Sequence, residues 1–323
     1  MTRQWFLPTF LLGLTVLVFV VVLIEPTLTI VGLVRGDSFY HMRSASYWQR
    51  VIAADGASSQ ISQATLDAFD SDTRAIPLLK DCLAHPDPNI RRPSIVLFQR
   101  CAFYHDQVIA FRGLLDDPDQ DVRFQSVCAL GRLRREALSA IPRLSQLTRS
   151  SDPNIAFAAK HALWNIDPES ARRAERWAKY TSALWDFSVD FPGEAERDLR
   201  TEESIDADIH EFSAWSGTSR FAVALSFVRP DVESTVAERY EMAAGFTADA
   251  VNGDVEHNTL IEQCGLVGRD QKIIVADHIL RARVFVVGNR VYQAQVVYMP
   301  GQLHSEAVEY FLASLVVNWR PES

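Results

Sequence analysis

The sequence predicts a mainly α chain joined to an α+β domain. Its parts are an N-terminal transmembrane helix, a short α-solenoid of repeated helix pairs, and a C-terminal antiparallel sheet with helices. Three observations carry this. Residues 5–24, WFLPTFLLGLTVLVFVVVLI, hold no charge. An acidic, proline-bearing turn followed by an apolar stripe recurs at 84–101, 116–133 and 149–166. From Trp185 onward the apolar period falls from that of a helix to that of a strand.

The uncharged stretch comes first. Twenty residues at ~1.5 Å each span ~30 Å, the hydrocarbon thickness of a bilayer. Trp5 sits where an interfacial aromatic is favoured, and Pro8 falls in the first turn, where a missing N–H costs little. The following EPTLTIVGLVRGD offers no small-x-small cleavage site, so an uncleaved anchor is expected over a signal peptide. Arg3 and the α-amino group precede the span and Arg35 and Arg43 follow it, a near tie in positive charge. A short tail before a large body places that body outside the cytoplasm, in a single-pass cell-membrane protein. The anchor and its flank occupy 1–36.

Residues 37–168 form the expected solenoid. Ile90, Val122 and Ile155 open three apolar stripes, 32 and 33 residues apart, and Ile76, Val108 and Ile141 lie fourteen residues before them. Each unit therefore reads as helix, turn, helix. The second helices are apolar or small at offsets 0, 4, 8 and 11, as in Val122/Ser126/Leu130/Leu133, which is one face at period 3.6. The turn has a physical purpose. Asp or Asn ahead of a helix accepts its orphan N–H groups and suits the positive end of the dipole. Arg91 and Arg123, at offset 1, are placed to reach acids of neighbouring turns as a ladder of charge-assisted bonds. A degenerate unit precedes these, with helices expected at 44–52 and 58–69. Offsets 2, 6, 9 and 13 face away from the repeat core and include Val96, Phe103, Phe124, Phe157 and Trp164, the candidate partner-binding strip.

Asp167 and Pro168 then start a charged bridging helix, expected over 169–183. The domain at 184–323 follows. WDFSVDFPG is a strand; ADIHEFSAW and RFAVALSFV flank SGTS as a hairpin; PDVESTVAERYEMAAGFTADAV is a helix. Three more strands lead to GNR, read as a three-residue loop pairing Val286 with Tyr292 and Val284 with Ala294. SEAVEYFLASLVVNW closes the domain as an amphipathic helix.

Charge and chemistry narrow the function. Residues 37–168 carry fifteen basic and fifteen acidic side chains; residues 184–323 carry eleven basic against twenty-three acidic, a net −12. Such a body repels phosphate backbones, so no nucleic-acid partner is expected. Cys82, Cys101, Cys128 and Cys264 form no CxxC pattern. Cys82 and Cys101 fall at far ends of antiparallel helices, roughly 15 Å apart, so all four read as packing residues. No phosphate loop, GxSxG elbow or HExxH helix occurs. Neither a catalytic residue, a metal nor a cofactor is therefore assigned. Asp206, Asp208 and His210 alternate on one strand and read as its solvated side. Asp277 and His278 are expected on opposite strand faces. Arg281 and Arg283, beside Gln293 and Gln295, form a candidate polar patch for an acidic ligand.

The stretches DPNIRR, DPDQDVRFQSVCALGRL and DPNIAFAAKHAL resemble HEAT repeats of the short bacterial kind, over about residues 44–168. The resemblance implies a protein-binding scaffold. Deoxyhypusine hydroxylase, an enzyme of this repeat type, needs His-Glu dyads, and none occurs between 44 and 168: His85 precedes Pro86, His105 precedes Asp106 and His161 precedes Ala162. The pattern FSVDFPG, a helix, then RVFVVGNRVYQAQV and SEAVEYFLASL resembles the PsbP/Mog1-like fold over about 184–320, whose members are mostly accessory and binding proteins. The expectation is a membrane-anchored, non-catalytic scaffold or adaptor for a protein partner. The alternative is an envelope ligand-binding protein or enzyme with its site in the C-terminal domain.

Overall fold

A computed structural model of the chain describes residues 29–58, 60–202, 207–227, 235, 238, 240 and 252–318. The expected span at 5–24 lies outside them, as does nearly all of the helix expected at 230–251. Among the described residues no helix is long and apolar enough to cross a membrane. The expected fold class is corrected accordingly. The described chain is a mixed helical and sheet protein with a large antiparallel sheet, and not mainly α. It divides into two compact units, with the boundary between Ala162 and Leu163.

The first unit begins with α1 (Thr29–Arg35) and a two-residue ribbon, β1 (Phe39–Tyr40) and β2 (Arg43–Ser44). Six helices follow: α2 (Ala45–Ala57), α3 (Gln63–Phe69), α4 (Ile76–Leu83), α5 (Pro88–Cys101), α6 (Tyr104–Gly113) and α7 (Gln120–Arg132). A 3₁₀ segment (Arg134–Ala140) leads to α8 (Ile141–Leu147) and α9 (Pro153–Ile166), inside which the unit boundary falls. The caps explain the starts. Asp87 accepts from the Asn89 amide at 2.8 Å, Asp119 from Val122 at 3.0 Å, and Asp152 from Asn154 at 2.9 Å. The first pair departs from its expected bounds. Ser58 is the C-cap of α2, not the start of a second helix, and Ser62 is the N-cap of α3. Its core is aromatic: Tyr40 stacks on Phe69 with ring centroids 5.1 Å apart, and the Trp48 indole donates to the Tyr40 carbonyl at 2.8 Å.

The second unit opens with α10 (Pro168–Glu175), capped by Asp167. Arg176 takes a left-handed conformation (φ 61°) and ends the helix there, and Trp177–Ser182 is strand β3. The expected bridging helix over 169–183 is thus half helix and half strand. β3, β4 (Phe187–Pro192) and β12 (Val316–Val317) make a three-stranded sheet in the order β12-β4-β3. The remaining strands are β5 (Glu196–Glu202), β6 (Ala207–Ser216), β7 (Ser219–Phe227), β8 (Asp254–Gln263), β9 (Leu266–Val275), β10 (His278–Val287) and β11 (Arg290–Tyr298). They form a seven-stranded antiparallel sheet, β5-β6-β7-β11-β10-β9-β8. One face packs with β4 and α11 (Ser305–Ser314) around Phe187, Phe191, Phe212, Phe221, Phe285 and Phe311.

The β10–β11 register is one residue from the sequence expectation. Val287 pairs with Arg290, Val284 with Gln293 and Ala282 with Gln295. The turn is the two residues Gly288-Asn289, with Gly288 at φ 59°, as a glycine-first hairpin turn requires. Apolar matching did not select this register because both faces of β10 are buried, Phe285 and Val287 on one side and Val284 on the other.

Candidate functional site

The helical unit presents its second helices, α5, α7 and α9, as successive rows. Their inward positions are sealed: Ile90, Val122 and Ile155 are buried, and Gly131 lets α7 approach α9 so closely that an added Cβ would lie 3.0 Å from the Ala162 Cα. The turns are held by the expected arginine at one rung. Arg91 donates Nε and Nη2 to the two Asp117 oxygens, at 2.8 and 2.7 Å, and Nη1 to the carbonyls of its own turn. Arg123 instead donates to the carbonyls of Asp117 and Pro118, at 2.6 and 3.1 Å.

On the outer side, Phe124 and Phe157 are 38% and 39% exposed, at the same offset of α7 and α9. Val96, on α5, is half-buried. Phe157 lies against His161, ring centroids 4.7 Å apart. The other two predicted strip residues fall elsewhere. Phe103 is 67% exposed, but it occupies the N-cap position of α6 and so leaves the α5 face. Trp164 is 2% exposed and is removed from the strip. Its ring sits among Trp177, His304 and Tyr310, at 5.8, 6.3 and 6.2 Å. Glu175 accepts from both indoles, Trp164 at 3.3 Å and Trp177 at 3.0 Å.

In the sheet unit the register separates the predicted polar patch. Arg281 and Arg283 lie on the face with Ala294 and Val296, whereas Gln293 and Gln295 lie on the other. Their charges are already answered. Arg283 donates to Asp270 at 2.8 Å, Gln263 at 3.0 Å and Glu309 at 2.8 Å; Arg281 reaches Asp270 and Glu309, both at 2.9 Å. Burial disfavours the Arg281 charge, but Asp270 and Glu309 outweigh it and raise its pKa. Two guanidiniums against two carboxylates leave no net charge for an acidic ligand. Gln293 donates to Gln295 at 3.3 Å.

Other candidates also resolve. Asp206 and the Asp208 side chain lie outside the described residues. His210 packs on Trp185 at 4.5 Å and meets Arg197 at 3.3 Å. Asp277 and His278 do meet, Oδ1 to Nδ1 at 2.6 Å, because Asp277 sits in the β9–β10 turn and not in a strand; the pair is exposed. An open groove of about 550 Å³ is lined by Glu196, Arg197, Asp198, Ser213, Trp215 and Arg220, whose guanidinium pairs with buried Glu211. Among the described residues no group of three His, Cys, Asp or Glu side chains is placed to hold a metal. Sequence reasoning missed Gln271, which is fully buried with neither amide atom hydrogen-bonded, next to Asn258 on the same face. Nothing in the alternation of β9 marks that position.

No protein-family model matches the chain, and no curated protein matches it. Among solved structures, the chain is similar to the solution structure of cyanobacterial PsbP (CyanoP) from Synechocystis. Identity is 11%, over 44% of this chain and 92% of that one, at a TM-score of 0.35. It is also similar to PA94 from Pseudomonas aeruginosa, a protein of unknown function, at 17% identity, over 45% and 99% of the two chains, with a TM-score of 0.28. These likenesses are confined to part of the chain and say nothing of activity.

Proposed function

We propose that this chain is a non-catalytic scaffold or adaptor that binds a protein partner through its helical unit, whose helix pairs we read as HEAT-like repeats. The observation that carries this reading is the pair Phe124 and Phe157. They occupy equivalent positions on α7 and α9, and each leaves more than a third of its surface in solvent while the inward positions of the same helices are sealed. Aromatic side chains, phenylalanine among them, are enriched in protein–protein interfaces relative to the rest of the surface. The caps and the Arg91–Asp117 bridge hold the turns through other side chains.

The test compares the wild-type chain with Phe124→Asp/Phe157→Asp in crosslinked affinity capture from the source cell, read by quantitative mass spectrometry. Circular dichroism and a thermal melt establish that the variant folds. Loss of a specific partner by tenfold or more from the folded variant supports the reading. Equal recovery by a folded variant sinks it, and an unfolded variant would show that both rings are core.

A further inference from the structure

The other surface that invites a partner is the free edge of the large sheet. β8 ends the seven-stranded order, and among the described residues no strand pairs with its outer side. It is ten residues long and exposed along most of its length, with Leu260 at 65%. A free edge offers a row of unpaired N–H and C=O groups, and proteins usually blunt such edges with proline, lysine, a bulge or extreme shortness. β8 carries no proline, lysine or arginine. Its bulge lies at one end, between Val255 and His257, and Lys272 holds the bulged Glu256 at 2.6 Å. From His257 to Gln263 the register is regular. The far end is pinned: the Gln263 amide donates to the Leu312 and Leu315 carbonyls at the end of α11, at 3.0 and 2.8 Å. The edge is therefore held in strand geometry before anything binds, which lowers the ordering cost of adding a strand.

Charge decides what fits. β8 contributes Asp254, Glu256 and Glu262 and no fixed cation, in a domain of net charge −12. A second copy of the chain pairing antiparallel along the full strand would set Glu262 opposite Asp254 or Glu256, and like charges directly opposed are destabilising. We propose that the outer edge of β8 receives an extended, basic segment of a partner protein as an added strand. Asn258, Leu260 and Glu262 share one face. The segment accordingly sets an apolar side chain against Leu260 and a lysine or arginine against Glu262, two residues apart. This surface belongs to the sheet unit, and its occupancy stands or falls separately from the Phe124/Phe157 face.

The experiment uses the full chain and three fluorescein-labelled decapeptides in about 0.15 M salt. One repeats Val-Thr-Lys-Thr, which sets valine and lysine two residues apart on one face; one replaces its lysines with glutamates; and one keeps the lysines but replaces the valines with prolines, which cannot complete a strand. Fluorescence anisotropy reads affinity, and hydrogen-exchange mass spectrometry reads the footprint. The lysine–valine peptide is expected to bind at least tenfold tighter than both others and to slow exchange over 257–263, and Glu262→Lys is expected to weaken it by tenfold or more. Equal binding of the lysine–proline peptide would reduce the effect to charge attraction and overturn the proposal, as would a footprint elsewhere. Protection of 257–263 that grows with protein concentration in the absence of peptide would hand the edge to a second copy and overturn the basic partner.

Discussion

Arg91 is 6% exposed, and its three guanidinium nitrogens make four hydrogen bonds of 2.7–2.8 Å, two of them to a buried Asp117 carboxylate. Arg91→Ala leaves that carboxylate buried without its cation, so the variant is expected to lose about 3–5 kcal/mol of stability in urea unfolding. Arg91→Lys recovers little, because an ammonium cannot reproduce the bidentate fork. Gln271 is the reverse case. It is fully buried with both amide atoms unpaired, so Gln271→Leu removes an unmet demand for hydrogen bonds. The expected gain is about 1–3 kcal/mol in the same assay. Tyr310 adds a pH signature. Burial and its hydrogen bond to Asp190 push its phenol up to about 12. A folded pKa above the unfolded value of about 10 contributes stability that is complete below pH ~10. That contribution is lost as pH rises from there toward 12. Tyr310→Phe should flatten the alkaline limb of the stability profile; an unchanged limb would show that another group sets it.

At the scale of elements, the second helices of the three clear pairs were legible because each start is written twice, once by an acidic cap and once by the 3.6-residue stripe. Asp87, Asp119 and Asp152 all cap the helices that the repeated turn foretold. The edges of the second unit were not legible. β3 is disguised because the helix-favouring charged run before it, ESARRAER, carries no stop signal, and only the left-handed Arg176 breaks it. The candidate patch failed with its register: a one-residue slip moves Gln293 and Gln295 to the face opposite Arg281 and Arg283. One packing device is visible only in three dimensions. Pro93, inside α5, has no N–H to donate to the Asn89 carbonyl four residues earlier. Gly56 of α2 lies so close to that oxygen that an added Cβ would fall 1.9 Å from it. Because the obstacle is backbone, Gly56→Ala is expected to cost about 1–3 kcal/mol by forcing α2 and α5 apart, read as a lowered urea midpoint with an unchanged slope.

At the scale of the whole molecule, the cysteines divide unevenly between the two units and can report on each. Cys82, Cys101 and Cys128 belong to the helical unit, whereas Cys264 lies in the exposed β8–β9 turn of the sheet unit. Burial pushes the Cys82 thiol up to about 12 and Cys101 to about 11, and it raises Cys128 as well. The reactive species is the thiolate, so burial protects these groups twice, by access and by ionisation. In native buffer near pH 8 a thiol-specific reagent is expected to modify Cys264 rapidly, Cys128 slowly, and Cys82 and Cys101 only when the helices that bury them open. Peptide-resolved mass spectrometry of labelling against urea then yields the opening free energy of the helical unit from Cys82 and Cys101, with Cys264 as the internal reference for reagent reactivity. Arg91→Ala should advance the Cys82 and Cys101 transitions to lower urea and leave the Cys264 rate alone. Native labelling of Cys82 as fast as that of Cys264 would mean that the repeats open freely without denaturant, and the rigid aromatic face on which the proposed partner docks would lose its physical basis.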